Sequence, residues 1–224
     1  MRKKLAAELI GTFILVFAGT GAIIINDITG ALGHVGISLT FGFVIVALIY
    51  SFAQVSGAHF NPAVTIAFWT MGEFDRNNVF PYICSQLLGG IIASIGLYFL
   101  MKENFSTLSE VSYLGATLPS GSISQSFFFE IILTFILMLV ISASAIRGKV
   151  TKDFAGLAIG LTIGLESMFA GPITGASMNP ARSIAPAIIS GHFEHLWIYI
   201  VATILGAILA AFVFVKFLQF ETSD

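Results

Sequence analysis

Two short stretches hold the residues that could do chemistry. Residues 56–65 read S-G-A-H-F-N-P-A-V-T, and residues 171–182 read G-P-I-T-G-A-S-M-N-P-A-R. Aligned, they share [ST]-G-A-x-x-N-P-A, with Asn61 and Asn179 offset by 118 residues. In each copy asparagine suits a helix cap, and the proline after it suits the first helical turn. An asparagine amide donates hydrogen bonds, and a helix N-terminus concentrates partial positive charge. Two such turns meeting head to head would set two amides and two positive helix ends around one point. A small polar molecule there would have its oxygen held by donors, while a cation would be repelled. One N-P-A by itself is only a capped helix start. Two copies in register within apolar surroundings point to a functional site.

The elements that must position these turns are repeated too. Residues 7–13, A-E-L-I-G-T-F, resemble residues 129–135, F-E-I-I-L-T-F, with Glu8 and Glu130 offset by 122. Two pairs at nearly one offset indicate an internal duplication. We divide the single domain 1–224 into a first repeat 1–101, a connecting segment 102–126 and a second repeat 127–224. Apolar residues make up 57% of the 224 positions and charged residues 10%, against about a quarter charged in soluble domains. Lipid is therefore the expected solvent.

Six apolar runs follow one another, at 5–25, 35–54, 79–101, 127–146, 154–170 and 196–218. Each is near the ~20 residues that cross a hydrocarbon layer. The shorter runs 62–70 and 180–189 begin at the N-P-A turns and read as half-helices that enter the membrane without crossing it. Irregular backbone at that depth must be buried in protein or line a wet cavity. The basic residues Arg2, Lys3, Lys4, Arg76, Arg147, Lys149, Lys152 and Lys216 gather on one side, Lys102 and Arg182 on the other, which puts both termini in the cytoplasm. Three spans per half invert the second repeat relative to the first. The fold expected is an all-α membrane protein of six transmembrane helices and two re-entrant half-helices, an inverted 3+3 repeat. Gly156, Gly160 and Gly164 are spaced for close helix packing. Residues 111–122 show no chemistry of their own.

The composition also excludes. A near-neutral chain without a basic field does not bind nucleic acid. The single Cys84 excludes an intrachain disulfide and a cysteine-built metal cage, the histidines are scattered with no helical H-x-x-x-H pair, and no nucleophile–base set suggests an enzyme or a cofactor. The basic start followed by an apolar run resembles a signal peptide, but Glu8 inside the run and its repeat partner make it the first span.

The two N-P-A stretches resemble the signature loops of the aquaporin (major intrinsic protein) superfamily, and A-E-x-x-G-T-F resembles its first helix. The resemblance covers essentially the whole chain. It implies a passive channel for water and small uncharged solutes, excluding protons and ions, built as a homotetramer with one pore per subunit in the cell membrane. It implies pore turns at Asn61, Pro62, Ala63 and at Asn179, Pro180, Ala181. It also implies lining carbonyls at Gly57, Ala58, His59, Gly175, Ala176 and Ser177, and buried carboxylates Glu8 and Glu130 supporting the loops. Carried over by spacing, an outer filter falls on Phe41, Ser167, Ala176 and Arg182. Ser167 departs from the strict water channels, which place histidine there. With Ala176 also small, a pore wide enough for glycerol, urea or neutral metalloid hydroxides is expected, and a strict water channel is the alternative. The second loop, and Leu196-Trp197-Ile198-Tyr199-Ile200, look like the nodulin-like plant channels and their bacterial relatives. Glu166, unusual for the family, is expected to bond loop backbone rather than pair with Arg182 or line the mouth. A secondary transporter would need an ion-coupling cluster that this sequence lacks, and a structural membrane protein on the same fold would pass no solute.

Overall fold

The computed structural model describes residues 1–146 and 152–218, and the described residues are helical with no strand. Arg147 and Lys149, which the charge argument used, lie outside them. Eight helices carry the fold: α1 Arg2–Thr29, α2 Gly33–Ser56, α3 Pro62–Thr70, α4 Arg76–Met101, α5 Ile123–Ile141, α6 Ala155–Thr174, α7 Pro180–Ser190 and α8 Leu196–Val213. Six are long and apolar enough to cross a membrane, and α3 and α7 are the half-helices. In those six, only 28% to 56% of the most apolar window is buried. Large residues such as Phe80, Phe99 and Leu165 point outward, so the apolar run of each span serves the lipid as much as the core.

Packing follows the duplication. The pair α1 and α4 is matched by α5 and α8, while α2 lies along α6. A side chain at Gly89 would collide with the carbonyl of Leu9, and one at Gly206 with that of Ile131. These two glycines, 117 residues apart, let the helices of each pair touch backbone to backbone. Gly42 and Gly160 do the same between α2 and α6, where a Cβ on Gly42 would lie 2.8 Å from the Gly160 carbonyl.

Two boundaries differ from the sequence expectation. The fifth span, expected to end at Ala170, runs on to Thr174 with Pro172 inside it. Pro172 has no N–H for the carbonyl four residues earlier. That carbonyl, Met168 O, accepts instead from His34 Nε2 of α2 at 2.7 Å. The fourth span keeps its expected reach only by changing pitch, α-helical to Ile141 and π-helical over Ser142–Ile146.

The connecting segment is the larger correction. Residues 111–122, to which no role was assigned, fold back into the molecule. Val111 and Leu114 are fully buried against Ile24 and Leu97. Ser112, Tyr113, Leu114 and Gly115 all have positive φ, from 45° to 72°. This left-handed turn is costly for the three residues that carry a Cβ. It directs the Gly115 carbonyl at Arg182, and Ser120 N then donates to Ile173 O at 2.9 Å.

Candidate functional site

The half-helices begin as their sequences dictate. Asn61 and Asn179 are extended caps whose Oδ1 atoms accept from Ala63 N at 2.9 Å and Ala181 N at 3.0 Å. Pro62 and Pro180 occupy the first turn, where a missing N–H costs nothing. The amide nitrogens cross over: Asn61 Nδ2 donates to Met178 O at 2.7 Å, and Asn179 Nδ2 to Phe60 O at 2.9 Å. One N–H of each amide thus locks the two turns together, and one remains. The N-termini of α3 and α7 meet head to head.

Behind each turn stands a buried glutamate. Glu8 accepts from His59 N at 3.0 Å, Phe60 N at 2.7 Å, Ser56 Oγ at 2.7 Å and Gln86 Nε2 at 2.7 Å. Glu130 accepts from Ser177 N and Met178 N, both at 2.9 Å, and from Thr174 Oγ1. The turn hydroxyls also receive Ala58 N at 3.1 Å and Ala176 N at 3.0 Å. In a trans peptide the carbonyl points away from the N–H across the same plane, and no peptide here is cis. With these six N–H groups turned toward Glu8, Glu130 and the two hydroxyls, the carbonyls of Gly57, Ala58, His59, Gly175, Ala176 and Ser177 project to the opposite side. Positive φ at Gly57, Ala58, Phe60 and at Gly175, Ala176, Met178 makes the arrangement possible. Tyr82 and Tyr199, also 117 apart, donate to Ser56 O at 2.8 Å and Thr174 O at 2.7 Å. This tyrosine pair was open to the repeat argument and was missed, as was Gln86; the aligned Ser56 and Thr174 were matched in the motif, but their hydroxyl roles were not.

A cavity of about 810 Å3 runs along this opposite side. Asn61, Asn179, His59, Phe41, Ala176 and Arg182 are among its walls, and Ile159 and Ile163 face it from α6. Three of the four filter positions therefore come together. The guanidinium carbon of Arg182 lies 5.0 Å from the centroid of the Phe41 ring, within cation–π range. Its Nη1 donates to Gly115 O at 2.7 Å, and its Nε has no hydrogen-bond partner. Next to it, Ser183 links Thr117 and Ser177 through hydroxyl bonds of 2.8 Å and 2.6 Å. Ser167 is buried one helical turn past Ile163 but does not line the cavity. Gly115 and Thr117 gave no signal in the sequence, because a carbonyl's aim depends on backbone torsions that residue type does not encode.

His59 sits at the other end of the signature turn. Its ring stacks on Phe68 at 4.6 Å and meets Phe74 and Tyr82 at 4.8 and 5.2 Å. Thr65 Oγ1 gives its proton to Asn61 O and receives Gln86 Nε2. The 3.1 Å contact from His59 Nδ1 to that hydroxyl therefore has the histidine as donor. Glu166 departs from expectation. It is buried, and neither carboxyl oxygen bonds loop backbone or any other group. Among the described residues no cluster of three metal-binding side chains occurs.

The profile of the family described as "Major intrinsic protein" matches residues 1–214. The chain is 47% identical over 215 residues to aquaporin NIP3-1 of Arabidopsis thaliana, covering 95% of this chain and 66% of that one. It is 43% identical over 213 residues to nodulin-26 of Glycine max, covering 95% and 76%. The chain thus spans about two thirds to three quarters of these relatives. Among solved structures, the aquaglyceroporin from Plasmodium falciparum superposes with a TM-score of 0.88 at 28% identity, covering 97% of this chain and 96% of that one.

Proposed function

Because this chain belongs to the major intrinsic protein family, a family of membrane channels rather than enzymes, we propose a filter and a solute range for its pore. Water and small neutral solutes cross through the cavity between the repeats, driven by their own gradients. Phe41, Ala176 and Arg182 line the outer constriction, and Ser167, buried off the cavity wall, is its small fourth position. Phe41 supplies a bulky apolar wall. Arg182 supplies a fixed positive charge and donors for a passing hydroxyl. Ala176 and Ser167 leave the opposite side open, so glycerol, urea or a neutral metalloid hydroxide follows water. The six carbonyls give such a solute acceptors along its path, and the free amide N–H of Asn61 and Asn179 orients each oxygen at the centre.

The crossed amide bonds between the two turns carry this reading. They bring two helix N-termini and two donors to one point of the cavity, where water is bound through its oxygen and a proton or metal cation meets positive ends only. One-dimensional proton hopping needs each water to donate onward, and donors on both sides of the central water oppose that. The similarity to plant NIP-type aquaporins and to an aquaglyceroporin supports a pore wider than a water filter. The channel is further read as a homotetramer in a cell membrane, with both termini cytoplasmic and repeats at 1–101 and 127–224.

Uptake of labelled glycerol into vesicles holding the purified protein tests the class. Equilibration to the outside concentration, unaffected by an imposed ion gradient, is expected. Accumulation above that concentration would mean an ion-coupled transporter instead.

A further inference from the structure

His34 stands in the first turn of α2 and is exposed, yet its ring is engaged with α6. Nε2 lies 2.7 Å from Met168 O. A carbonyl only accepts, so Nε2 carries the hydrogen and donates it. The ring also fills the space left by Gly171, where a Cβ would lie 2.8 Å from His34 Cε1. Its own backbone is anchored, because Asn26 Oδ1 at the end of α1 accepts from Gly33 N at 2.7 Å.

The carbonyls at the end of α6 show why an outside donor is needed. Gly171 O accepts from Gly175 N at 2.9 Å, Ile173 O from Ser120 N at 2.9 Å, and Thr174 O from Tyr199 Oη at 2.7 Å. Met168 O would accept from residue 172 of its own helix, and that residue is Pro172, which has no N–H. The matching position in the first half, at the 118-residue offset of the turns, is Gln54, which has one. The end of α2 therefore needs no outside donor there, and only the second of the two matching helices takes one from its neighbour.

The bond closes a seam between α2 and α6. Gly160 meets Gly42 and Val46, Gly164 meets Gly42 and Ser38, and Gly171 meets His34. Small-residue contacts of this kind let the backbones approach but fix no direction, whereas the His34 bond does. Two filter positions flank it. Phe41 lies seven residues on from His34, two turns along the same face of α2. Ser167 directly precedes Met168 and, at about 100° per residue, falls between the cavity-facing Ile163 and Gly171. We propose that His34 is a positioning residue for selectivity: its bond to Met168 O holds the proline-interrupted end of α6 against α2 and so sets the distance between the walls that carry Phe41 and Ser167. Without the bond the last turns of α6 move away from α2, and the fourth side of the constriction opens. The proposal rests on the filter described above.

The ratio of glycerol to water permeability in reconstituted vesicles tests it. His34→Phe keeps a ring against Gly171 and removes the donor; it should raise the ratio about twofold or more, as the loss of one hydrogen bond allows. His34→Gln keeps an N–H donor and should hold the ratio near that of the wild type. Pro172→Ala restores an N–H to Met168 O, so the double variant His34→Phe/Pro172→Ala should return to the wild-type ratio, which a general loss of packing would not do. In thermal unfolding, His34→Phe should lower the midpoint less in the Pro172→Ala background than in the wild type. An unchanged ratio in His34→Phe, or a raised ratio that Pro172→Ala leaves uncorrected, would overturn the proposal. Should the wild type admit no glycerol, the wide-filter reading fails by itself; glycerol entry through His34→Phe would then still support the His34 bond as the lock, and its absence would overturn it.

Discussion

Arg182 is held by one hydrogen bond to a carbonyl and one aromatic face, and nothing in its immediate contacts neutralises it fully. Glu130 of α5 is committed instead to two backbone N–H groups and a hydroxyl. The guanidinium therefore keeps positive character toward the cavity. Arg182→Ala should leave water flux near its original value and raise the proton leak of vesicles measured with an entrapped pH dye. An unchanged leak would remove Arg182 from the exclusion barrier. Ser167→His should narrow the constriction and cut glycerol flux while sparing water; equal glycerol flux in both proteins would mean that the fourth wall is elsewhere. For the scaffold, Glu130→Ala orphans Ser177 N and Met178 N, at roughly 1–3 kcal/mol each. Its thermal unfolding in detergent should fall well below that of Glu130→Gln, which retains one acceptor.

At the scale of the elements, most of the fold was legible because the relevant signals are one-dimensional. Span length follows from apolar runs, and both half-helix starts follow from N-P-A, which acts through a side-chain cap and a missing N–H. Helix ends were harder. The last turn of α6 contains a proline that normally argues against helix, and it survives because His34, far away in sequence, takes up the freed Met168 carbonyl. Residues 112–115 were illegible for a related reason: a left-handed turn of non-glycine residues is stabilised by the pocket around Val111 and Leu114, not by local preference. Close packing gives a prediction at this scale. Gly206→Ala drives a Cβ into the Ile131 backbone, where overpacking costs about 1–3 kcal/mol. Because Gly89 makes the same contact with Leu9, Gly89→Ala should destabilise to a similar degree, read as matched drops in unfolding midpoint. A large difference between them would mean that the helix pairs are not equivalent.

For the whole molecule, the duplication organises function. Each half contributes a turn, a glutamate behind it, a tyrosine beneath it and a glycine contact beside it, and the halves join through amides that cross between them. The sequence showed the turns and glutamates, since side-chain identity marks them. It did not show the tyrosines until the structure linked them to matching carbonyls, nor that Glu166 is buried without a bonding partner where the first half has Leu48. The halves also differ where Phe41, Arg182 and the connecting segment meet, and selectivity is expected at the filter proposed there.

Stopped-flow light scattering on vesicles containing the wild-type protein, challenged first with sucrose and then with glycerol, tests the central claim most directly. The account predicts rapid shrinkage in sucrose, and in glycerol rapid shrinkage followed by rapid reswelling as the solute enters. Rapid shrinkage without reswelling would contradict the wide filter assigned to Ser167 and Ala176.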